Sequence, residues 1–283
     1  LLIEYRAPVN FVDTYGRTPL HLACAYGHYA IANFLTDVGA KIDVEDLDGK
    51  TPLYNAALSK HDKICKLLLE RGACLDYVNR KGLMYIHMAC KWGHKSVVNF
   101  LIEKLTPAVL NCRDSEGLTS VHHCCINRLS SILALVIANG ADVNLGDTTY
   151  VRTPLHYVCR KSTHYEIVVM LLENGAALER ADNTGATPLY RACCSLNDHI
   201  VQLLVQKGAN CNACTNEGKT PLHHASGQGL DYIIKLLIES GAEINLPDKS
   251  ARTPLNYAFA KDHYDAMEIL TRHGAKFYGY TNN

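Results

Sequence analysis

The sequence lacks an excess of charge of either sign. Lysine plus arginine and aspartate plus glutamate each number 28 among 283 residues, so the formal net charge is zero. A balanced chain is not attracted as a whole to nucleic acid or to anionic lipid. Charge alone therefore argues against nucleic acid as the partner, whereas the expectation of no membrane insertion rests on the lack of long apolar stretches.

Long apolar stretches are also missing. No run approaches the roughly 18 apolar residues of a membrane-spanning helix, and no signal-peptide pattern opens the chain. Twelve cysteines could indicate a disulfide scaffold. Five of them instead recur at one position of the repeat described next, namely Cys24, Cys90, Cys125, Cys159 and Cys193. We expect packed thiols in a reducing compartment, and hence an intracellular, cytoplasmic protein, with the nucleus left open.

What the sequence does contain is a repeat built on Thr-Pro-Leu-His. Copies of this motif begin at Thr18, Thr51, Thr153, Thr187, Thr220 and Thr253, with weaker copies at Met84 and Thr119. The steps between successive copies are 33, 33, 35, 34, 34, 33 and 33 residues. A fixed period of this length predicts a stacked array of small units rather than one large core.

Each unit is predicted to consist of a turn, two short helices and a loop. Asp13 and Gly16 indicate the turn, because an Asx side chain bonds its own backbone and glycine tolerates positive φ. Thr18 is a natural N-cap and Pro19 suits the first helical position. Gly39 ends the second helix. Such a unit leaves one helical face exposed, so only stacking on its neighbours can bury it.

These features resemble ankyrin repeats over essentially the whole chain. The resemblance rests on the motif Thr-Pro-Leu-His-Leu-Ala, on the Gly-Ala stops and on loops such as residues 140–144. It implies an all-α ankyrin-repeat solenoid, in which helix-turn-helix units joined by β-hairpin-like loops form a curved rod with a concave groove. We expect the second half of a truncated preceding repeat at 1–10, then eight repeats at 13–45, 46–78, 79–113, 114–146, 147–181, 182–214, 215–247 and 248–283, the last range including the C-terminal end.

The pattern weakens in the middle of the array. Residues 104–110 replace the Gly-Ala stop and add two residues. Repeat five gains one residue in its turn and another near Ser162. We expect residues 102–164 to stack less regularly than the two ends.

Clusters of histidine and cysteine are the candidates for chemistry. Five histidines hold the fourth motif position, where ankyrin repeats typically use them for hydrogen bonds: His21, His87, His122, His156 and His223. His122 to Cys125 form a His-His-Cys-Cys run, but adjacent side chains on a helix point about 100° apart and cannot all reach one zinc ion. Cys211 and Cys214 supply only two of four ligands. We predict no enzyme activity, metal or cofactor.

The resemblance also implies a partner-binding surface, formed by the turns and the outer positions of the first helix. We counted five such positions per repeat: two before the turn glycine, one after it, and the seventh and eighth after the motif threonine. Twelve are basic: Arg17, Lys50, Arg80, Lys81, Lys91, Arg152, Arg160, Lys161, Lys219, Lys249, Arg252 and Lys261. Three are acidic: Asp48, Glu116 and Glu217. This excess predicts a groove that attracts an acidic segment.

Aromatic residues are interleaved with these charges, as in binding hot spots. The predicted partner-binding residues are Tyr15, Arg17, Tyr26, Lys50, Arg80, Lys81, Lys91, Trp92, Tyr150, Arg152, Arg160, Lys161, Lys219 and Arg252. Trp92 with Arg152, Arg160 and Lys161 is the predicted energetic centre. The predicted function is a non-catalytic interaction domain, an adaptor, scaffold or substrate-recruiting module, that binds an acidic segment of another protein.

Three alternatives stay open. The same groove could bind a polyanion, either nucleic acid or phosphoinositide. The cysteines could belong to a metal- or thiol-dependent enzyme. The basic face could simply be solvated charge that keeps the rod soluble.

One further expectation concerns modification. Asn144, Asn212 and Asn245 occupy the loop position at which the resemblance to ankyrin repeats implies asparagine hydroxylation. They are the predicted modification sites.

Overall fold

The structure is a computed structural model that describes residues 8–75, 77–79, 82–104, 106–160 and 164–277. Within these residues it contains seventeen α-helices and no strand, which confirms the predicted all-α class. An isolated antiparallel bridge pairs Val78 with Met84. No helix in the described part of the chain has the length and apolar character needed to span a membrane.

The helices alternate between two roles. In chain order they are α1 (Pro19–Ala25), α2 (Tyr29–Asp37), α3 (Pro52–Leu58), α4 (Asp62–Glu70), α5 (Tyr85–Trp92), α6 (Lys95–Lys104), α7 (Pro107–Leu110), α8 (Ser120–Ile126), α9 (Ser130–Ala138), α10 (Pro154–Cys159), α11 (Tyr165–Glu173), α12 (Pro188–Cys194), α13 (Asp198–Gln206), α14 (Pro221–Gly227), α15 (Asp231–Glu239), α16 (Pro254–Phe259) and α17 (Tyr264–Arg272). The first helices of the repeats are α1, α3, α5, α8, α10, α12, α14 and α16. The others, apart from α7, are second helices.

The first helices begin where the motif predicts. Thr18 has an extended backbone (φ −84°, ψ 165°), and its hydroxyl oxygen accepts the His21 backbone N–H at 3.4 Å. In return, Nδ1 of His21 accepts the Thr18 N–H at 3.0 Å. Both donors are satisfied, as in a capping box. In repeat eight an amide takes the place of the imidazole, because Oδ1 of Asn256 accepts the Thr253 N–H at 2.8 Å.

Glycine at the end of a first helix allows close packing between repeats. Gly27 has a φ of 79°. A Cβ at this position would lie 2.6 Å from the ring of His61 in the next repeat. Both the backbone conformation and the space therefore favour glycine.

The hydrophobic core is formed by the same motif positions in each repeat. The third motif residue is at most 1 % exposed in all eight repeats: Leu20, Leu53, Ile86, Val121, Leu155, Leu189, Leu222 and Leu255. Each buried side chain of this size contributes roughly 1.5–3 kcal/mol of hydrophobic stabilisation. The five recurring cysteines, Cys24, Cys90, Cys125, Cys159 and Cys193, are 0 % exposed. Phe259 occupies the same position in repeat eight but is 47 % exposed, with its ring edge-on to Phe277.

The inserted segment in the middle of the array forms a helix of its own. Helix α7 starts at Pro107, which suits a first helical position. The Leu110 carbonyl at its end accepts the Ser120 hydroxyl at 2.7 Å. Asn111 then contacts the next repeat through its side-chain amide, which donates to the Gly140 carbonyl at 3.3 Å. The loop pattern thus resumes after the insertion.

The chain divides into two compact units, unit 1 (residues 1–142) and unit 2 (residues 143–283). In unit 1 the first helices pack in order, α1 on α3, α3 on α5 and α5 on α8. In unit 2, α10 packs on α12, α12 on α14 and α14 on α16. Each unit therefore presents its turns and the outer positions of its first helices on one surface, which we call the turn face of that unit. The turns begin at Asp13, Asp46, Asn79, Asp114, Asp147, Asp182, Thr215 and Asp248.

Candidate functional site: the turn faces

The turn aspartates organise both faces. In repeat two, Oδ1 of Asp46 accepts the backbone N–H groups of Asp48 and Lys50, each at 2.9 Å. The Asp46 N–H donates to the Lys50 carbonyl at 2.9 Å, which closes the turn. Because one carboxylate oxygen is used by the backbone, the other is left to contact side chains.

A side chain of the same repeat usually binds that second oxygen. Arg17 Nε donates to Oδ2 of Asp13 at 2.9 Å. The remaining contacts are His123 Nε2 to Asp114 Oδ2 at 2.9 Å, Tyr157 hydroxyl to Asp147 Oδ2 at 3.0 Å, Arg191 Nε to Asp182 Oδ2 at 2.9 Å, and Tyr257 hydroxyl to Asp248 Oδ2 at 2.7 Å. Four of these five donors are the fourth residue after the motif threonine, a position that the sequence analysis did not single out. The sequence did carry a signal for this position, because its residue is polar in repeats four to eight.

Asp182 in unit 2 binds two guanidinium groups. Its side chain is 0 % exposed, and its Oδ2 accepts from Arg191 and also from Arg152 Nε at 3.3 Å. Burial would raise the pKa of this carboxyl group, but hydrogen bonds from Thr184 and Arg191 outweigh burial and lower the pKa to about 2. Asp182 is therefore ionised at neutral pH and ties repeat five to repeat six.

Tyrosine rings hold several of the cations in place. The guanidinium carbon of Arg17 lies 4.7 Å from the ring centroid of Tyr15, and that of Arg152 lies 4.3 Å from Tyr150. Arg252 lies 4.7 Å from the ring of Tyr257. Cation–π contact and an ion pair together fix each guanidinium in one position.

Ion pairs account for five of the twelve predicted cations. The pairs are Arg17–Asp13 (2.8 Å), Lys50–Asp48 (2.8 Å), Arg152–Asp182 (3.3 Å), Lys219–Glu217 (2.6 Å) and Arg252–Asp248 (2.9 Å). Three of these partners are turn aspartates, which the five-position count did not include. Among the described residues, no carboxylate lies within 4.0 Å of the side-chain nitrogens of Lys91, Arg160, Lys249 or Lys261.

Including the turn aspartates and the fourth position after the motif threonine changes the charge of each face. Among the described residues, unit 1 then has three cations (Arg17, Lys50, Lys91) and five carboxylates (Asp13, Asp46, Asp48, Asp114, Glu116), a net charge of minus two. The described part of unit 2 has seven cations (Arg152, Arg160, Arg191, Lys219, Lys249, Arg252, Lys261) and four carboxylates (Asp147, Asp182, Glu217, Asp248), a net charge of plus three. The basic excess belongs to unit 2.

The predicted energetic centre divides between the units. Trp92 belongs to unit 1, where it is half-buried and meets Tyr54 edge-on with ring centroids 5.6 Å apart. Arg152 and Arg160 belong to unit 2. The Arg152 side chain is only 13 % exposed, whereas Arg160 is exposed. Lys161, like Arg80 and Lys81 of the predicted set, lies outside the described residues.

Each turn face contains a cleft between two repeats. The cleft of unit 1 has a volume of about 200 Å³ and is lined mainly by Tyr15, Tyr26, Asp46, Asp48 and Asn55, together with Arg17 and Lys50. The cleft of unit 2 has a volume of about 410 Å³, and Tyr190, Arg191, Glu217 and Lys219 contribute to its lining. Both clefts are open enough to receive side chains of another protein.

The motif histidines have structural partners. Nε2 of His21 lies 3.0 Å from the Lys50 carbonyl, and Nε2 of His156 lies 3.1 Å from the Ala186 carbonyl, so each bridges consecutive repeats. Burial lowers the pKa of His156 to about 4, which keeps the ring neutral at physiological pH. In the described part of the chain, no group of three or more His, Cys, Asp or Glu side chains could hold a metal ion.

The predicted modification sites connect each loop to the next repeat. Nδ2 of Asn212 donates to the Gly241 carbonyl at 3.1 Å, and its Oδ1 accepts the Glu243 N–H at 2.8 Å. Asn144 and Asn245 make the same pair of bonds, as do Asn10 and Asn111. The sequence analysis missed the last two, because no Gly-Ala stop precedes either of them.

Comparison with known proteins agrees with the repeat pattern. The family model for ankyrin repeats (3 copies) matches residues 1–79, 74–147, 131–214 and 197–279. The tyrosine-protein kinase HTK16 of Hydra vulgaris is 35% identical to this chain over 85 residues. That similarity covers 29% of this chain and 11% of the kinase.

Proposed function

Because the chain belongs to the ankyrin-repeat family, we propose that it is a non-catalytic protein-interaction module whose unit 2 turn face binds an acidic segment of a partner protein. The module would serve as an adaptor, scaffold or substrate-recruiting domain. Most of the chain matches a family whose arrays function in protein–protein contact.

The charge excess of the unit 2 turn face is the observation that carries this proposal. Among the described residues, seven cations and four carboxylates lie on this face. Arg160, Lys249 and Lys261 are exposed and have no carboxylate within 4.0 Å among the described residues. Their charges are available to a partner, and complementary charge favours encounter with acidic segments and disfavours basic ones.

Paired cations contribute in a different way. Arg152 and Arg252 are held by Asp182 and Asp248 and by tyrosine rings. Ordered side chains lose little conformational entropy when a partner docks. In this proposal the paired arginines shape the surface and position the partner, whereas the exposed cations attract it.

A protein partner fits this face better than a polyanion. Glu217 is exposed on the same surface and would repel closely spaced phosphates. The chain as a whole is neutral, whereas phosphate binding usually accompanies a strongly basic domain. An acidic peptide can place its carboxylates between these charges.

Unit 1 presents aromatic residues on its own turn face. Tyr15 and Tyr26 are 64 % and 69 % exposed, and Trp92 is half-buried. Aromatic rings that already pack partly against the protein bury a large apolar area when a partner binds, and they lose little conformational entropy in doing so. We retain them, with Lys50 and Lys91, as proposed binding residues.

We propose an intracellular, cytoplasmic setting and keep the three asparagines as proposed modification sites. All twelve cysteines are free thiols, which fits a reducing compartment. A hydroxylating enzyme would have to free Asn144, Asn212 or Asn245 from its two hydrogen bonds. Mass spectrometry of protein isolated from cells should show the addition of one oxygen at these residues, and unmodified peptides throughout would contradict the assignment.

The function is tested with a defined acidic probe. A fluorescein-labelled peptide of about 20 residues that alternates Glu and Ser is titrated with the full chain, beside a peptide with Gln in place of Glu. The test variant carries Arg160→Glu, Lys249→Glu and Lys261→Glu. The control variant carries Lys207→Glu, Lys235→Glu and Lys276→Glu, which change the net charge equally at exposed positions away from the turn face.

We expect the Glu peptide to bind the parent chain and the control alike, and to bind the test variant at least about tenfold more weakly. Equal loss in both variants would mean that net charge alone drives binding and would overturn the proposal. A short DNA duplex that competes with the peptide and binds more tightly, with a steep dependence on salt, would support the polyanion alternative instead.

A further inference from the structure

Asp46 differs from the other turn aspartates. In repeats one, four, five, six and eight, the second carboxylate oxygen is bound by a guanidinium, an imidazole or a phenol. In repeat two, no side chain among the described residues donates to Oδ2 of Asp46. Asp46 therefore has the same backbone bonds as its counterparts without the side-chain bond that accompanies them.

The sequence of repeat two explains the difference. The residue four positions after its motif threonine is Asn55, where repeat six has Arg191. The Asn55 side chain is too short to reach Oδ2 of Asp46 in the way that Arg191 reaches Oδ2 of Asp182. The nearby ammonium group of Lys50 donates to Oδ2 of Asp48 at 2.8 Å. The carboxylate of Asp46 is left with a vacant acceptor.

Asp46 also lines the cleft of unit 1, whose volume is about 200 Å³. The same cleft is flanked by Tyr15 and Tyr26, both largely exposed. Its two cations are already engaged, Arg17 with Asp13 at 2.8 Å and Lys50 with Asp48 at 2.8 Å. An open cavity thus contains aromatic rings and a carboxylate that has no side-chain hydrogen-bond donor among the described residues.

We propose that this cleft binds an arginine side chain of a partner protein, with the guanidinium donating to Asp46 and stacking on a tyrosine ring. Unit 1 and unit 2 already contain this arrangement within the chain: Arg17 contacts Asp13 and Tyr15, and Arg252 contacts Asp248 and Tyr257. The inference concerns unit 1 and does not depend on the acidic-segment site of unit 2.

Arginine fits better than lysine for two physical reasons. The planar guanidinium can donate to a carboxylate through one edge while its face lies on an aromatic ring. An ammonium group is more strongly hydrated and forms no such stacked plane. The chain itself places arginine, not lysine, on the turn aspartates Asp13, Asp182 and Asp248.

The first test supplies the missing group within the chain. Asn55→Arg places a guanidinium nine residues after Asp46, the spacing at which Arg191 reaches Asp182. We expect this variant to unfold at higher urea concentration than the parent. The gain should disappear when Asp46→Asn is added, because the amide keeps the Oδ1 acceptor of the turn but removes the charge at Oδ2.

The second test uses a small probe in place of the partner. N-acetyl-arginine methylamide is titrated into the ¹⁵N-labelled full chain, with the citrulline and lysine analogues as neutral and ammonium controls. We expect saturable shifts of the amides of residues 46–50 with the arginine compound, at least about tenfold weaker binding of the citrulline compound, and intermediate binding of the lysine compound. Asp46→Asn and Asn55→Arg should each abolish the shifts.

Glu45→Gln is the matched control. Glu45 precedes Asp46, is exposed and does not line the cleft, so its replacement removes the same charge from the same loop. This variant should bind the arginine compound within about twofold of the parent, because exposed charges are screened by water and salt. Equal binding of the arginine and citrulline compounds, unchanged binding by Asp46→Asn, or binding that persists in Asn55→Arg would each overturn the proposal.

Discussion

The turn faces of units 1 and 2 are built from the same type of backbone turn, but the aspartate of that turn has different partners in the two units. In unit 2, Asp182 and Asp248 are 0 % and 1 % exposed and bind arginine and tyrosine side chains of their own face. In unit 1, Asp13 is 30 % exposed, and Asp46 has no side-chain donor among the described residues. Asp114 of unit 1 resembles the aspartates of unit 2, since its side chain is 4 % exposed and is bound by His123. The contrast with unit 2 therefore lies in Asp13 and Asp46.

The difference shows that the net charge of a turn face is a separate property from the charge that the face leaves for a partner. In unit 2 the buried carboxylates of Asp182 and Asp248 pair with arginines that the sequence pattern counts as surface cations, whereas the buried Asp147 accepts a hydrogen bond from the Tyr157 hydroxyl. The charge that remains for a partner comes from Arg160, Lys249 and Lys261, at the helix ends and in the last turn. In unit 1 the available charge near the cleft is negative, at Asp46.

The strongest test of this comparison removes a turn aspartate from each unit. Asp182→Ala leaves Arg152 and Arg191, whose side chains are 13 % and 17 % exposed, without their carboxylate, and we expect it to cost about 3 kcal/mol of unfolding free energy. Asp46→Ala removes two hydrogen bonds from a half-exposed turn and should cost about 1 kcal/mol. Urea unfolding followed by far-UV circular dichroism measures both.

The single tryptophan adds a local probe to that experiment. Trp92 lies in unit 1, so its fluorescence reports unfolding there. If the units unfold independently, Asp182→Ala shifts the dichroism transition and leaves the Trp92 transition in place; if they unfold together, both shift. Equal costs for Asp182→Ala and Asp46→Ala would contradict the distinction between a structural and a solvent-facing aspartate.

A second prediction concerns pH. Burial lowers the folded-state pKa of His156 to about 4, whereas an unfolded histidine has a pKa of about 6.5. Between these values the unfolded chain binds a proton that the folded chain does not, so stability is complete above pH 6.5 and falls as the pH falls toward 4. From pH 7 to pH 5 the loss attributable to His156 is about 2 kcal/mol.

His156→Asn isolates this contribution, because repeat eight already uses Asn256 at the same position. We expect the variant to be less stable at pH 7, where it loses the bond to the Ala186 carbonyl, but to lose about 2 kcal/mol less than the parent between pH 7 and pH 5. Burial also lowers the pKa of His21 in unit 1, so His21→Asn should act in the same direction. An unchanged pH dependence in both variants would show that these rings become protonated without unfolding.

Much of the fold could be predicted because the repeat pattern recurs eight times along the chain. Threonine N-caps, proline at the first helical position and the buried third motif residue all depend on neighbours a few residues away. The ankyrin family and the all-α class are accordingly confirmed. Phe259 shows the limit of such reasoning: the repeat predicts a packed side chain, but burial depends on what stacks against that repeat.

The ion pairs of the turn faces could be predicted only in part. Arg17 and Asp13 lie four residues apart, and Arg191 and Asp182 nine, so a periodic pattern can pair them. Arg152 instead reaches Asp182 across 30 residues, into the next repeat. Lys50 binds Asp48 rather than Asp46. Such choices depend on side-chain conformation and on the spacing of stacked repeats, which the sequence pattern does not specify.

The smallest predicted effect concerns the loops between repeats. Asp43 of unit 1 holds the position of Asn212 in unit 2, and its oxygens accept the Cys74 N–H at 3.1 and 3.2 Å. A carboxylate has no proton to donate to the glycine carbonyl that Asn212 contacts in the next repeat. Asp43→Asn should therefore stabilise the protein by about 0.5–1 kcal/mol, and Asn212→Asp should destabilise it by a similar amount.

Urea unfolding followed by Trp92 fluorescence for Asp43→Asn, and by circular dichroism for Asn212→Asp, measures the two changes in the unit where each residue lies. Opposite signs would mean that one amide serves the same purpose in both units. If Asp43→Asn left the unfolding transition unchanged while Asn212→Asp was destabilising, the amide would not act in the same way in the two units, which would contradict this prediction.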